Sequence, residues 1–145
     1  TLPSIPLTSS GTEKPKFLAG GHGLVSTSTD YMKFASLHLS NGVVDERQLL
    51  SQEALNLMHN NQLPENIEAI SRVYPGNVFG LDFAIVDNSE VFQGTPTGTF
   101  WWWGIAGSWF WVDPQNKTIF IGMIQNNDLR LSFRTHAATR NAFYN

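Results

Sequence analysis

Cysteine is absent from the 145 residues. Disulfides, thiolate metal sites and a cysteine nucleophile are thereby excluded. A basic surplus is missing as well: 9 Lys and Arg stand against 12 Asp and Glu, for a formal charge of −3. Such a chain has no cationic field for phosphates, so nucleic acid is not an expected partner. No apolar run approaches the roughly 20 residues of a membrane span. The four histidines, His22, His38, His59 and His136, show neither H-x-x-x-H nor H-E-x-x-H spacing, and no metal or other cofactor is expected. Neither G-x-S-x-G nor S-x-x-K occurs. The glycine-rich AGGHGL at 19–24 follows no strand pattern and fits no phosphate-loop motif. Thr1 stands where a Met would start a chain, so the lack of a leader leaves the compartment open.

What remains suits one globular domain or a large part of one: 41% hydrophobic, 12% aromatic and 14% charged residues. Residues 1–19, with three prolines, read as an irregular lead-in. Residues 20–60 read as a loop and two helices. In the first, Thr27 and Asp30 form a capping box, Met32, Ala35 and Leu39 follow helical spacing, and Asn41-Gly42 ends it. Ser51 caps the second, at about 51–60.

The period then changes. Residues 77–126 read as antiparallel strands. Phe79, Leu81, Phe83 and Ile85 alternate, which predicts one strand over 78–86. Further strands are expected at 99–104, 107–113 and 118–125, with DPQNK as a turn before the last. Residues 128–145 hold a C-terminal helix capped by Asn127 or Asp128, with Leu129, Phe133 and Ala137 on one face. The fold class is α+β: an antiparallel sheet of three to four strands, helices before it and a helix packed back onto it. The later strands are apolar on both faces, so something must cover each side. An uncovered sheet edge is the expected route to self-association or to pairing with a further segment.

All five tryptophans lie between Trp101 and Trp111. The plain reading makes Trp109 and Trp111 core strand residues. Gly104 stands out, because a glycine in a strand often marks close approach of a backbone or a ligand. Trp102-Trp103-Gly104-Ile105 would set bare backbone N–H groups beside aromatic walls, as an oxyanion site needs. His38, His59 and His136 read as surface or locally bonded. His22, flanked by glycines, is a weaker candidate for ligand contact.

Taken together, GGHGLVSTSTDYMKFASLHLSNG, LLSQEALNLM, FGLDFAIV and WWGIAGSWFWVDPQNKTIFIGMIQ resemble the mid-to-late region of the serine β-lactamase-like hydrolases. This superfamily includes class C β-lactamases, penicillin-binding proteins and related carboxylesterases. The resemblance implies acyl transfer through a serine acyl-enzyme on a small ester, amide or lactam. Trp102-Trp103-Gly104 resembles the family's third motif, Lys-Thr-Gly or its Trp-x-Gly form. By the same resemblance Ile105 would give one oxyanion-hole N–H, Gly104 would let the backbone approach, and Trp102, Trp103 and His22 would contact substrate. The family's Ser-x-x-Lys and Tyr-x-Asn or Tyr-x-Ser motifs do not occur here. The chain therefore resembles the C-terminal part of such an enzyme, inactive alone. Trp in place of Lys at 102 favours neutral esters or amides over β-lactams. The alternatives are a β-lactamase or penicillin-binding type enzyme, a non-catalytic tryptophan-rich binding module, and a relative that has lost catalysis.

Overall fold

The computed structural model describes residues 25–67, 72–126 and 128–144. The lead-in, the glycine-rich loop and His22 lie outside them. Helix α1 (Ser28–Leu39) starts where the capping box predicts: the Thr27 side chain accepts from the Asp30 N–H at 3.1 Å. It stops because Asn41 and Gly42 turn left-handed, with φ of 54° and 79°, and the Gly42 N–H returns to the Leu37 carbonyl. A small hairpin follows, β1 (Val43–Val44) and β2 (Arg47–Gln48). Asp45 and Glu46 make its turn at positive φ. The sequence reading does not include it. Helix α2 (Gln52–His59) is capped by Ser51, whose hydroxyl accepts from the Ala54 N–H at 3.1 Å.

The main sheet has five antiparallel strands in sequence order: β3 (Asn77–Phe79), β4 (Ala84–Val86), β5 (Phe100–Trp103), β6 (Trp109–Asp113) and β7 (Thr118–Gly122). The count exceeds the three to four expected because VFGLDFAIV is a hairpin, not one strand. Asp82 sits at φ 69°, the Gly80 N–H donates to Phe83 O, and Val78 pairs with Ile85. Leu81, expected inside a strand, is exposed at the turn. Beyond β7, Asp128 caps helix α3 (Leu129–Tyr144), its carboxylate accepting from the N–H groups of Arg130 and Leu131.

Helices cover both faces of the sheet. Phe83, Ile85, Phe100, Phe110 and Val112 pack on one side against Tyr31, Ala35, Leu39 and Met58 of α1 and α2. Ala84, Val86, Phe92, Trp101, Trp109 and Trp111 form the other cluster, which Tyr144 of α3 joins. The stripe of α3 that lies deepest is Ser132, His136 and Arg140, not the apolar row Leu129, Phe133 and Ala137. His136 tilts against the Trp109 indole at 4.5 Å between centroids, and the Arg140 guanidinium stands 4.3 Å from the Phe92 ring centre. Large aromatic faces accept imidazole and guanidinium groups, so polar residues can line this helix's buried side.

The tryptophan arrangement is a consequence of hairpin register. Trp101 pairs with Trp111 and Trp103 with Trp109 across β5 and β6. The Gly104 N–H donates to Ser108 O, which makes the 102–110 pair hydrogen-bonded and the two Trp–Trp pairs non-hydrogen-bonded, where side chains come closest. Four indoles thus share the α3 face, and Trp102 points the other way. Trp101, Trp109 and Trp111 are buried. The exposed stacking row that a binding module would need is not present.

Under α1 and α2, two imidazoles meet. His38 Nδ1 lies 3.0 Å from His59 Nε2, and His59 stacks on Phe100 at 4.1 Å. They bond each other across two helices rather than locally, and His38 is buried rather than on the surface. Burial lowers both pKa values, His59 from 6.5 to about 4, with His38 adding to the effect. Between those two pH values the unfolded chain takes up a proton that the folded one resists, so stability falls as pH drops through the window. For His59 alone we expect a loss of about 2 kcal/mol after allowing for partial exposure. Urea midpoints at pH 7 and pH 4.5 check it. Equal midpoints for the wild type, or an unchanged pH dependence in His59→Phe, would contradict the assignment.

Candidate active site

The sequence from Trp103 to Trp109 is a five-residue connection, and its glycines set its shape. Gly104 N–H donates to Ser108 O at 2.8 Å, and Gly107 N–H returns to Gly104 O at 2.9 Å. Gly107 sits at φ 97°, which only glycine adopts readily. The strands therefore end at Trp103 and begin at Trp109, not at 104 and 107 as expected. Gly104 is the first residue of a turn rather than the interior of a strand.

Peptide directions alternate along β5. Since Gly104 turns its N–H toward β6, the amide of Trp103 faces the opposite side. There, β4 pairs with β5 only as far as Ala84 with Trp101, because the Gly80–Phe83 turn carries the chain away. Among the described residues, no strand pairs with β5 beyond Trp101 on that side. Ile105 is 60% exposed, and its N–H makes no hydrogen bond among the described residues. A Cβ built on Gly104 would meet only Ser108, at 3.3 Å from the hydroxyl. Among the described residues, and leaving aside Trp103 and Ile105 themselves, no other group lies within 4 Å of that position.

Trp102 and Trp103 are half-buried. Trp102 lies edge-on to Phe79 at 5.2 Å. Trp103 packs edge-on to Phe133 at 4.8 Å, and its indole N–H donates to the Tyr74 hydroxyl at 2.6 Å. Burial raises the Tyr74 pKa, while the indole N–H opposes that shift. The structure brings Trp102, Trp103, Gly104 and Ile105 together at one end of the sheet. His22 lies outside the described residues. Among those residues, no group of three or more His, Asp or Glu gathers as metal ligands.

Several residues around this turn escaped the sequence reading. Asn126 N–H donates to Ala106 O at 2.8 Å, and its side chain donates to Ser132 Oγ at 3.2 Å. Burial lowers the His136 pKa, and the Gly107 backbone partly offsets that shift. Tyr74 closes the wall over Trp103. Asn126 comes shortly after the last strand and before a capping Asp, but no local spacing ties it to residue 106.

A five-stranded antiparallel meander between helical layers, with a glycine turn joining β5 to β6, is the architecture in hand. The family model described as Beta-lactamase matches residues 3–143. The chain belongs to the Beta-lactamase family. Two Mycobacterium tuberculosis proteins, Rv1367c of strain ATCC 25618 / H37Rv and MT1414 of strain CDC 1551 / Oshkosh, are each 32% identical to it over 120 residues. That alignment covers 77% of this chain and 30% of each relative. Among solved structures, unliganded simvastatin synthase LovD from Aspergillus terreus superposes with a TM-score of 0.57 at 20% identity, over 79% of this chain and 33% of LovD. EstCE1, a hydrolase with promiscuous acyltransferase activity, gives 0.56 at 19% identity, over 76% of this chain and 29% of EstCE1. The chain thus spans about a third or less of the length of the proteins it matches.

Proposed function

We propose that these residues are the C-terminal part of a serine hydrolase or acyltransferase that works through an acyl-enzyme on neutral esters or amides. The observation that carries this reading is the Ile105 amide. It makes no hydrogen bond among the described residues, it lies just past the end of β5, and it follows a glycine whose Cβ would meet only Ser108 among them, its chain neighbours aside. The names of LovD and EstCE1, a synthase and a hydrolase with acyltransferase activity, agree with acyl transfer as the chemistry.

In this reading a serine Oγ from polypeptide outside these residues attacks the acyl carbon. Its proton passes to a base and then to the leaving alcohol or amine. Water or a second alcohol next takes the acyl group and releases the serine. The tetrahedral oxygen accepts from the serine's own N–H and from Ile105 N–H. Trp102 and Trp103 line the approach with apolar surface and, at 102, offer no cation for a substrate carboxylate. That favours neutral acyl donors over β-lactams.

The test is turnover of p-nitrophenyl butyrate and of nitrocefin by the full-length polypeptide that contains these residues, with and without a serine-directed phosphonate. Ester turnover that the phosphonate abolishes, exceeding β-lactam turnover, is expected. Phosphonate-insensitive turnover, or covalent labelling within residues 1–145, would overturn the reading. The 145 residues alone are expected to leave the ester intact.

A further inference from the structure

The chain enters β3 through Tyr74-Pro75-Gly76-Asn77. Pro75 and Gly76 take the two central places of a turn, with Gly76 at φ 80°, and the Asn77 N–H returns to the Tyr74 carbonyl at 3.2 Å. That is the pattern of a type II turn. It sets Tyr74 beside β5, where two indole N–H groups hold it, one through Asn77 and one directly. Trp101 Nε1 donates to Asn77 Oδ1 at 2.8 Å, and Asn77 Nδ2 donates to the Tyr74 carbonyl at 3.3 Å and to Pro75 O at 3.2 Å. Trp103 Nε1 donates to the Tyr74 hydroxyl at 2.6 Å. Between these anchors the phenol ring stands edge-on to Trp101, 5.1 Å between centroids and 82° between planes. Asn77 is 2% exposed, whereas Tyr74 and Trp103 are half-buried, and Phe133 of α3 borders them both.

We propose that Tyr74 is a positioning residue that fixes the Trp103 indole in one orientation and so sets how long an acyl chain the site accepts. This inference rests on the acyl-enzyme reading, which sets Trp103 beside the substrate. A half-exposed indole at the end of a strand has more than one staggered rotamer open to it. A hydrogen bond from its ring N–H selects one of them when the acceptor is itself held. Here the acceptor is held, because the Tyr74 backbone is tied through buried Asn77 to the buried Trp101. A wall that does not turn aside limits the room next to it, and apolar pockets discriminate between chains that differ by a methylene on that basis. The same arrangement accounts for tyrosine at 74. Phenylalanine would pack equally well against Trp101 and Phe133, but only the hydroxyl gives Trp103 an acceptor.

The experiment uses the full-length polypeptide with p-nitrophenyl acetate and p-nitrophenyl octanoate. Tyr74→Phe keeps the ring and removes the acceptor. The ratio of kcat/KM for octanoate to that for acetate is expected to rise on the order of tenfold, the equivalent of one hydrogen bond that no longer holds the indole. Acetate turnover itself should stay within about twofold of wild type, since the short acyl group does not reach the wall. Trp103→Phe should raise the ratio in the same direction. Adding Tyr74→Phe to Trp103→Phe should then change it no further, because the phenol acts through the indole. Trp111→Phe, in the same aromatic cluster but away from the turn, should leave the ratio at its wild-type value. A wild-type ratio in Tyr74→Phe or in Trp103→Phe, with ester turnover still phosphonate-sensitive, would overturn this inference and spare the acyl-enzyme reading. A shift in Trp111→Phe equal to that in Tyr74→Phe would reduce the effect to general loosening of the core and also overturn it, as would full additivity in the double variant. Phosphonate-insensitive turnover in the wild type would overturn both.

Discussion

Trp111→Ala is expected to remove about 3–5 kcal/mol of folding stability. Trp111 is 1% exposed, stacks on Phe120 at 4.1 Å and 5° between planes, and meets Phe143 and Tyr144 of α3. It joins the sheet to the C-terminal helix at the centre of one core. Its indole N–H has no hydrogen-bond partner among the described residues, so truncation strands no acceptor. The whole effect comes from lost transfer free energy and the cavity left behind. Trp111→Phe makes the comparison sharp. It keeps a stacking ring and removes a buried, unsatisfied donor, so it should be much milder than the alanine change. Urea unfolding of both variants decides. An alanine variant within about 1 kcal/mol of wild type would mean that α3 is not docked as described.

The second large effect separates folding from chemistry. Gly104→Ala is expected to lower ester turnover of the full-length polypeptide on the order of 100-fold, the scale of losing one oxyanion donor. Its melting temperature should stay within a few degrees of wild type. A Cβ at 104 meets the Ser108 hydroxyl at 3.3 Å and little else among the described residues, and that hydroxyl can rotate away. Gly104 also needs no left-handed φ, unlike Gly107. Replacing a glycine in an ordinary conformation can even stabilise by narrowing the unfolded ensemble. A steep loss of stability would make Gly104 a packing residue. Unchanged turnover would remove it from the site.

Local chemistry made much of the fold legible. Thr27, Ser51 and Asp128 each cap a helix through a side-chain oxygen a few residues from the amide it serves. Asn41-Gly42 and the turn before β7 are likewise short-range. Asp113 accepts from the N–H groups of Gln115 and Asn116 within that turn. Non-local choices were harder to see. The alternation through Phe79, Leu81, Phe83 and Ile85 fits a strand, yet Asp82 takes a left-handed φ and folds the segment on itself. Pairing with β5 then places Phe83 and Ile85 inside and leaves Leu81 outside. On α3, counting apolar residues selects the row of Leu129, Phe133 and Ala137. The indole faces opposite accept Ser132, His136 and Arg140 more deeply. The candidate site divides in the same way. Trp102 to Ile105 stand in one stretch and were legible together. Tyr74, Asn126 and His136 reach it only through tertiary contact.

Arg140 carries a consequence of its own. Its guanidinium is buried over Phe92 and near Trp101, it makes no ion pair with a carboxylate among the described residues, and burial lowers its pKa to about 10. An aromatic ring attracts a cation through its quadrupole and has no proton to gain or lose. At such short range and out of solvent, dissolved ions screen the attraction little. The clasp between the C-terminal helix and the sheet should therefore hold in brine, where a surface ion pair would slacken.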